Sequence, residues 1–237
     1  MSELMDKAAR TVGGSPSAFV MARVCGAAFT GLTAATVAVV PPSPESDASV
    51  ARIRDYLIAD AGGLAMSTAL MGIAAMAVVG FFALVHSRLR AASRDGDLIP
   101  AAFLLAGSVV VTSTLIGLVI QAALVHQIAP TADDSTLVAF YALWDRVFHT
   151  APAMGMAVAL LAASLAGPRS GPLPRWACLV ALAACALMLI DIVEDLATTG
   201  TNLGPLGIIA FGLVNVWIVG VSVTAWRHPA ATTAAEG

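Results

Sequence analysis

Six ionisable residues fall in two short clusters inside otherwise apolar runs: Asp145, Arg146 and His149 in one, Asp191, Glu194 and Asp195 in the other. Carboxylates, an imidazole and a guanidinium can carry protons, hold cations or pair with one another, and in hydrocarbon each must be paired, hydrated or protonated. Asp145 and His149 are four residues apart, as are Asp191 and Asp195, with Glu194 on the same face, so each helix presents one polar stripe. Four carboxylates face one fixed cation, Arg146, and one titratable imidazole, His149. Retained protons would correct that shortage of positive charge, because crowded carboxylates away from water hold protons more tightly. A bound cation with oxygen and imidazole ligands would correct it too.

Three readings follow. In the plainest, Glu194 and Asp195 mark the outer end of a helix, Arg146 sits at the interface, and an Arg146 to Asp191 pair holds two helices together in a structural or accessory protein. In the second, the cluster is the ion path of a proton- or cation-coupled small-solute transporter, with Asp191 as carrier, Arg146 as its partner and His149 as the tuning group. In the third it is the metal site of a membrane-embedded metal-dependent enzyme. That site would draw on His149, Asp145, Asp191 and, if the third span packs alongside, His126 with Gln121 near it; haem ligation by His126 and His149 is a variant. The chain has no Gly-rich phosphate loop, nucleophile elbow or His-Glu-x-x-His pattern, so the reading leans away from an enzyme and names no cofactor. Asn215, mid-span, reads as interhelical glue, and His86 and His228 as border residues.

The elements that must position these groups are membrane helices. Only 11% of the 237 residues are charged and 59% are apolar, against the roughly 25% charge of a soluble domain. Several charge-free runs reach about 20 residues, the length a helix needs to cross about 30 Å of hydrocarbon. The expected fold is all-α: a polytopic bundle of six transmembrane helices at 18–40, 62–86, 99–126, 136–166, 176–197 and 205–226, with a segment 1–17 before it and a tail 227–237 after it. Alternate sides of the membrane receive Lys7, Arg10, Arg23, Arg88, Arg90, Arg94, Arg169, Arg175 and Arg227 against Arg52, Arg54 and Arg146. By the positive-inside rule both termini are then cytoplasmic; Tyr141 and Trp144 fall at the outer border, Trp176 and Trp226 at the inner one.

Net charge is only −3, which points to no nucleic-acid partner. Eleven Arg against one Lys, with abundant Ala and Val, suggests a high-GC bacterial genome and hence the bacterial cytoplasmic (inner) membrane. The bilayer is the expected partner, with a homo-oligomer or a membrane partner protein left open. Cys25, Cys178 and Cys185 are odd in number, lack metal-type spacing and read as small buried apolar side chains.

The longest outer segment, 41–61, opens with Pro41, Pro42 and Pro44, which cannot continue the first helix. Over 49–60, Val50, Ile53 and Leu57 recur at helical spacing with Arg52, Arg54 and Asp55 between them. This predicts a short amphipathic helix lying on the outer membrane surface, or a solvated connector. Gly155, Ala159 and Ala163 form a small-residue stripe that permits close helix approach. Met66, Met71 and Met76 read as core filler.

After the fourth span the chain reads Gly167-Pro168-Arg169-Ser170-Gly171-Pro172-Leu173-Pro174-Arg175-Trp176 and leads straight into an apolar helix. This Ser-Gly-x-x-Pro-Arg loop, within six similarly spaced helices, resembles an uncharacterised six-span bacterial membrane family, domain of unknown function 4386. That family usually follows the Pro-Arg with an aliphatic-Gly pair, where this chain has Trp176-Ala177. The resemblance implies topology and brings no catalytic residue.

Depth ties the two clusters together. Asp191 lies 15 residues beyond Trp176, about 22 Å at about 1.5 Å per residue. His149 and Asp145 lie 18 and 22 residues before Gly167, about 27 and 33 Å by the same rise. Acidic or basic residues at a helix centre cost about 2.5 to 3.5 kcal/mol each, while each Leu, Ile, Val or Phe returns only about 0.3 to 0.6. The clusters must therefore be near the interface, wet or neutralised, and the expectation is an outward-facing polar pocket between the fourth and fifth spans.

Overall fold

The computed structural model describes residues 16–44, 48–94, 96–170, 173–197 and 205–224. These form helices with no strand among them: α1 (Pro16–Val39), α2 (Val50–Ala59), α3 (Ala61–Ala92), α4 (Ile99–Ala123), α5 (Asp134–Asp145), α6 (Ala151–Ser170), α7 (Arg175–Ala197) and α8 (Pro205–Thr224). A π turn at Leu124–Ile128 carries α4 into a last turn, Ala129–Thr131, and a second at Arg146–Thr150 joins α5 to α6. Among the described residues, five stretches are long and apolar enough to cross a membrane: Ala61–Ala92, Ile99–Thr131, Asp134–Ala166, Arg175–Asp195 and Leu206–Thr224. The apolar part of the first helix, Arg23–Val39, is shorter. The second and third expected spans run further than the hydropathy suggests, to Ala92 and Thr131. Lys7, Arg10, Trp226, Arg227, His228, Gly171, Pro172 and the tail 227–237 lie outside the described residues.

Each π turn ends at an Ala-Pro pair, Ala129-Pro130 and Ala151-Pro152. Proline has no N–H to donate four residues back, and its ring presses on the carbonyl there. The helix widens instead, and the alanine before each proline donates five residues back, Ala129 N–H to Leu124 O and Ala151 N–H to Arg146 O.

The long helices pack as a ring in chain order, each against the next: α1 on α3, α3 on α4, α4 on α6, α6 on α7, α7 on α8, and α8 back on α1. Inside the ring lies an apolar core in which Phe81 meets Trp217 edge to face at 5.5 Å and Phe82 meets Phe103 at 5.3 Å. The small stripe on α6 works as expected: Ala159 and Ala163 are buried, and a Cβ at Gly155 would lie 3.0 Å from the Ala106 carbonyl of α4. Asn215 joins α8 to α1, within 3.5 Å of the Thr33 hydroxyl. The methionine reading needs correction. Met66 and Met76 are exposed on the outside of the bundle, among the many aliphatic side chains there, and of the three only Met71 packs against the core.

A second apolar cluster closes the end of the bundle that carries α2. The apolar face of the amphipathic helix is buried against protein, with Ile53 and Leu57 at 0% and 1% exposure among Leu64, Leu124, Leu137, Tyr141 and Trp144. Polar groups explain the docking. The Arg54 guanidinium donates to the Ala129 carbonyl, to the Ala132 carbonyl at 3.0 Å and to Asp134 at 2.9 Å, satisfying the carbonyls left open where the helix after α4 ends. The Tyr141 hydroxyl donates to Pro44 O at 2.7 Å, holding the connector from α1. Burial and, to a lesser degree, the Asp60 carboxylate push the Tyr56 phenol of α2 up to about 12.

Candidate functional site

Asp145 ends α5, Arg146, His149 and Thr150 lie on the π turn that follows, and Asp191, Glu194 and Asp195 occupy the last two turns of α7. Because α6 packs along α7, the π turn faces the end of α7. Arg146 crosses this contact and its Nη1 donates to Asp195 Oδ2 at 2.5 Å and to the Asp195 backbone carbonyl at 3.3 Å. The Thr150 hydroxyl donates to the same carboxylate oxygen at 2.9 Å. One carboxylate is thus gripped by two side chains of the neighbouring helix, in a clasp whose Arg146 and Asp195 side chains are 37% and 18% exposed.

The second pair is local. His149 Nδ1 lies 2.8 Å from Asp145 Oδ1, with the imidazole donating to the carboxylate. The Asp145 side chain is almost sealed, at 7% exposure, while His149 keeps 27%. Two rings hold the imidazole edge to face: Trp144 at 5.7 Å and Phe148 at 5.2 Å, the latter also stacked on Trp144. Gly117 of α4 leaves room for Phe148; a Cβ there would come within 2.9 Å of the Phe148 Cβ.

The remaining candidates divide. Asp191 is half-buried and Glu194 exposed, both on α7. The carboxylate that Arg146 grips is Asp195, one turn beyond the Asp191 named by sequence reading. Gln121 and His126 turn toward α3: buried Gln121 donates to Leu64 O at 3.3 Å, and His126 lines a cavity of about 130 Å³ with Ala65, Thr68, Ala122 and Val125. Among the described residues, no three His, Cys, Asp or Glu side chains come together as a metal-binding group. Cys25, Cys178 and Cys185 are buried free thiols, and His86 Nδ1 lies 2.8 Å from the Pro100 carbonyl.

Sequence reading missed Thr150, Trp144 and Phe148 as parts of the site. Thr150 was visible in principle, since it sits four residues after Arg146 and so shares its stripe. Trp144 and Phe148 are also four residues apart, which allows their stack, but that both rings wall the imidazole depends on how the π turn rotates the residues around it. Compared with family models, curated proteins and solved structures, the chain matches none of them.

Proposed function

We propose that this chain is a six-span protein of the bacterial cytoplasmic membrane, with α1 as the sixth span and both termini cytoplasmic, of the same kind as domain of unknown function 4386. Its role on this reading is structural or accessory: a rigid helical body that serves a membrane partner or a second copy of itself. The observation that supports it is the clasp, in which Arg146 and Thr150 both hold Asp195 and join the α5–α6 unit to α7. Exposed ion pairs contribute about 0 to 1 kcal/mol and breaking a buried one costs about 3 to 5. For this half-buried pair, removing either partner should cost roughly 1 to 3 kcal/mol. A double-mutant cycle with Arg146→Ala and Asp195→Ala, read by thermal unfolding of the purified protein in nanodiscs, should show strongly coupled losses. Additive or negligible losses would remove the support.

One observation favours a second reading, proton- or cation-coupled transport of a small solute: a buried carboxylate and an imidazole share a hydrogen bond beside the clasp.

A further inference from the structure

Beside the clasp lies a pair of a different kind. In the pairs Arg54–Asp134 and Arg146–Asp195 the cation is a guanidinium, which keeps its charge at every working pH. In His149–Asp145 both partners can gain or lose a proton. An unpaired charge sealed from water is strongly unfavourable. Among the described residues, the hydrogen bond that reaches the Asp145 carboxylate comes from His149, so the His149 proton is what compensates it. The groups around the pair are committed elsewhere: Arg146 and Thr150 hold Asp195, and the Tyr141 hydroxyl donates to Pro44 O.

The geometry also gives the pair a direction. Asp145 occupies Nδ1, which fixes the tautomer and leaves Nε2 as the basic atom. The pair lies beside the apolar cluster in which Trp144 and Phe148 pack with Ile53 and Leu57 of α2, and the ring keeps part of its surface exposed while its carboxylate partner is sealed. A π turn carries the pair, and such turns recur at functional positions because their geometry differs from that of the flanking helix.

We propose that His149 is the proton carrier of this protein, loaded at Nε2 from the α2 end, with Asp145 as its positioning residue. The proposal rests on the transport reading and moves the carrier from Asp191 to His149. In loading, a proton from water adds to Nε2 and gives an imidazolium, whose Nδ1–H stays on the Asp145 carboxylate; unloading returns the proton and restores the neutral ring.

Two measurements on the full chain test it. In nanodiscs with ¹⁵N-histidine, the resonance lost in His149→Gln should report Nδ1 protonation in the neutral ring, and Asp145→Asn should mix the tautomers without lowering helix content. In liposomes holding a pH dye, with an imposed pH gradient and valinomycin to carry compensating charge, the wild type should pass protons. His149→Gln should fall to the level of empty liposomes, Asp145→Asn should drop at least about tenfold, and Asp191→Asn should keep its flux. Flux lost in Asp191→Asn and kept in His149→Gln overturns the carrier assignment while transport stands. A wild type that passes no protons overturns both. A His149 tautomer indifferent to Asp145→Asn overturns the role given to Asp145.

Discussion

Asp133 shows how one side chain can organise the start of a helix at the water boundary. Its Oδ1 accepts from the Thr136 backbone N–H at 2.9 Å and from the Ser135 hydroxyl at 2.5 Å, and Oδ2 accepts from the Thr136 hydroxyl at 2.9 Å. These bonds, the Ser135 hydroxyl first, hold the carboxyl well below the usual carboxylate range. The folded form therefore binds its proton more weakly than the unfolded one, so the stabilisation is present above the unfolded value of about 3.9 and is lost as pH falls below it. Asp133→Asn keeps a cap oxygen but not the charge. The gap in melting temperature between wild type and Asp133→Asn should be steady from neutral pH to about 5 and shrink toward pH 3; a gap that widens in acid would contradict the assignment. Other residues were less readable. The four-residue spacing of Asp145 and His149 made their contact legible. The partner of Arg146 lies one turn further along α7 than Asp191, because the two aspartates share a face and only their height, about 6 Å apart, tells them apart. The π turn between Arg146 and Thr150 also changes the phase that a straight helix would carry.

At the scale of elements, the long helices were legible because a charge-free run of span length has few alternatives. The placement of α2 was not. Its apolar face of Ile53 and Leu57 suits a lipid surface and a protein groove equally well, and hydropathy cannot tell them apart. What decides is Arg54, whose guanidinium finds two open carbonyls and Asp134 where the chain turns between the helix after α4 and α5. Two consequences separate docking from simple lipid adsorption. Leu57→Ala should destabilise the protein by about 2 to 5 kcal/mol, the usual cost of a cavity at a fully buried leucine. Arg54→Ala should raise amide hydrogen exchange in Val50–Ala59 and in the turn around Ala132, while the exchange of α3 and α7 stays slow. If α2 exchanges at its wild-type rate in both variants, the docking contacts do not hold it. The Ala-Pro pairs at 129–130 and 151–152 belong to this scale as well: both were present in the sequence, and each marks a π turn that a simple span count passes over.

At the scale of the whole molecule, the ring of helices gives the two ends different characters. The α2 end carries the amphipathic helix, the Asp133 cap, the clasp and the His149–Asp145 pair, while the other end carries Arg88, Arg90, Arg94 and Arg175 at or near the helix termini. Such an excess of arginine beside short loops favours the cytoplasmic side, so the α2 end should face outward and protons should reach His149 from outside the cell. Cysteine labelling tests this in intact cells. With Cys25, Cys178 and Cys185 replaced, a cysteine in place of exposed Asp55 on α2 should react with a membrane-impermeant maleimide added outside. A cysteine in place of exposed Asp97, between α3 and α4, should react only after the membrane is opened. The reverse pattern would invert the molecule, place the His149 loading side in the cytoplasm and show that the arginine count misleads in this chain. Equal labelling of both positions from outside would contradict the span between them, because α3 alone separates Asp55 from Asp97 along the chain.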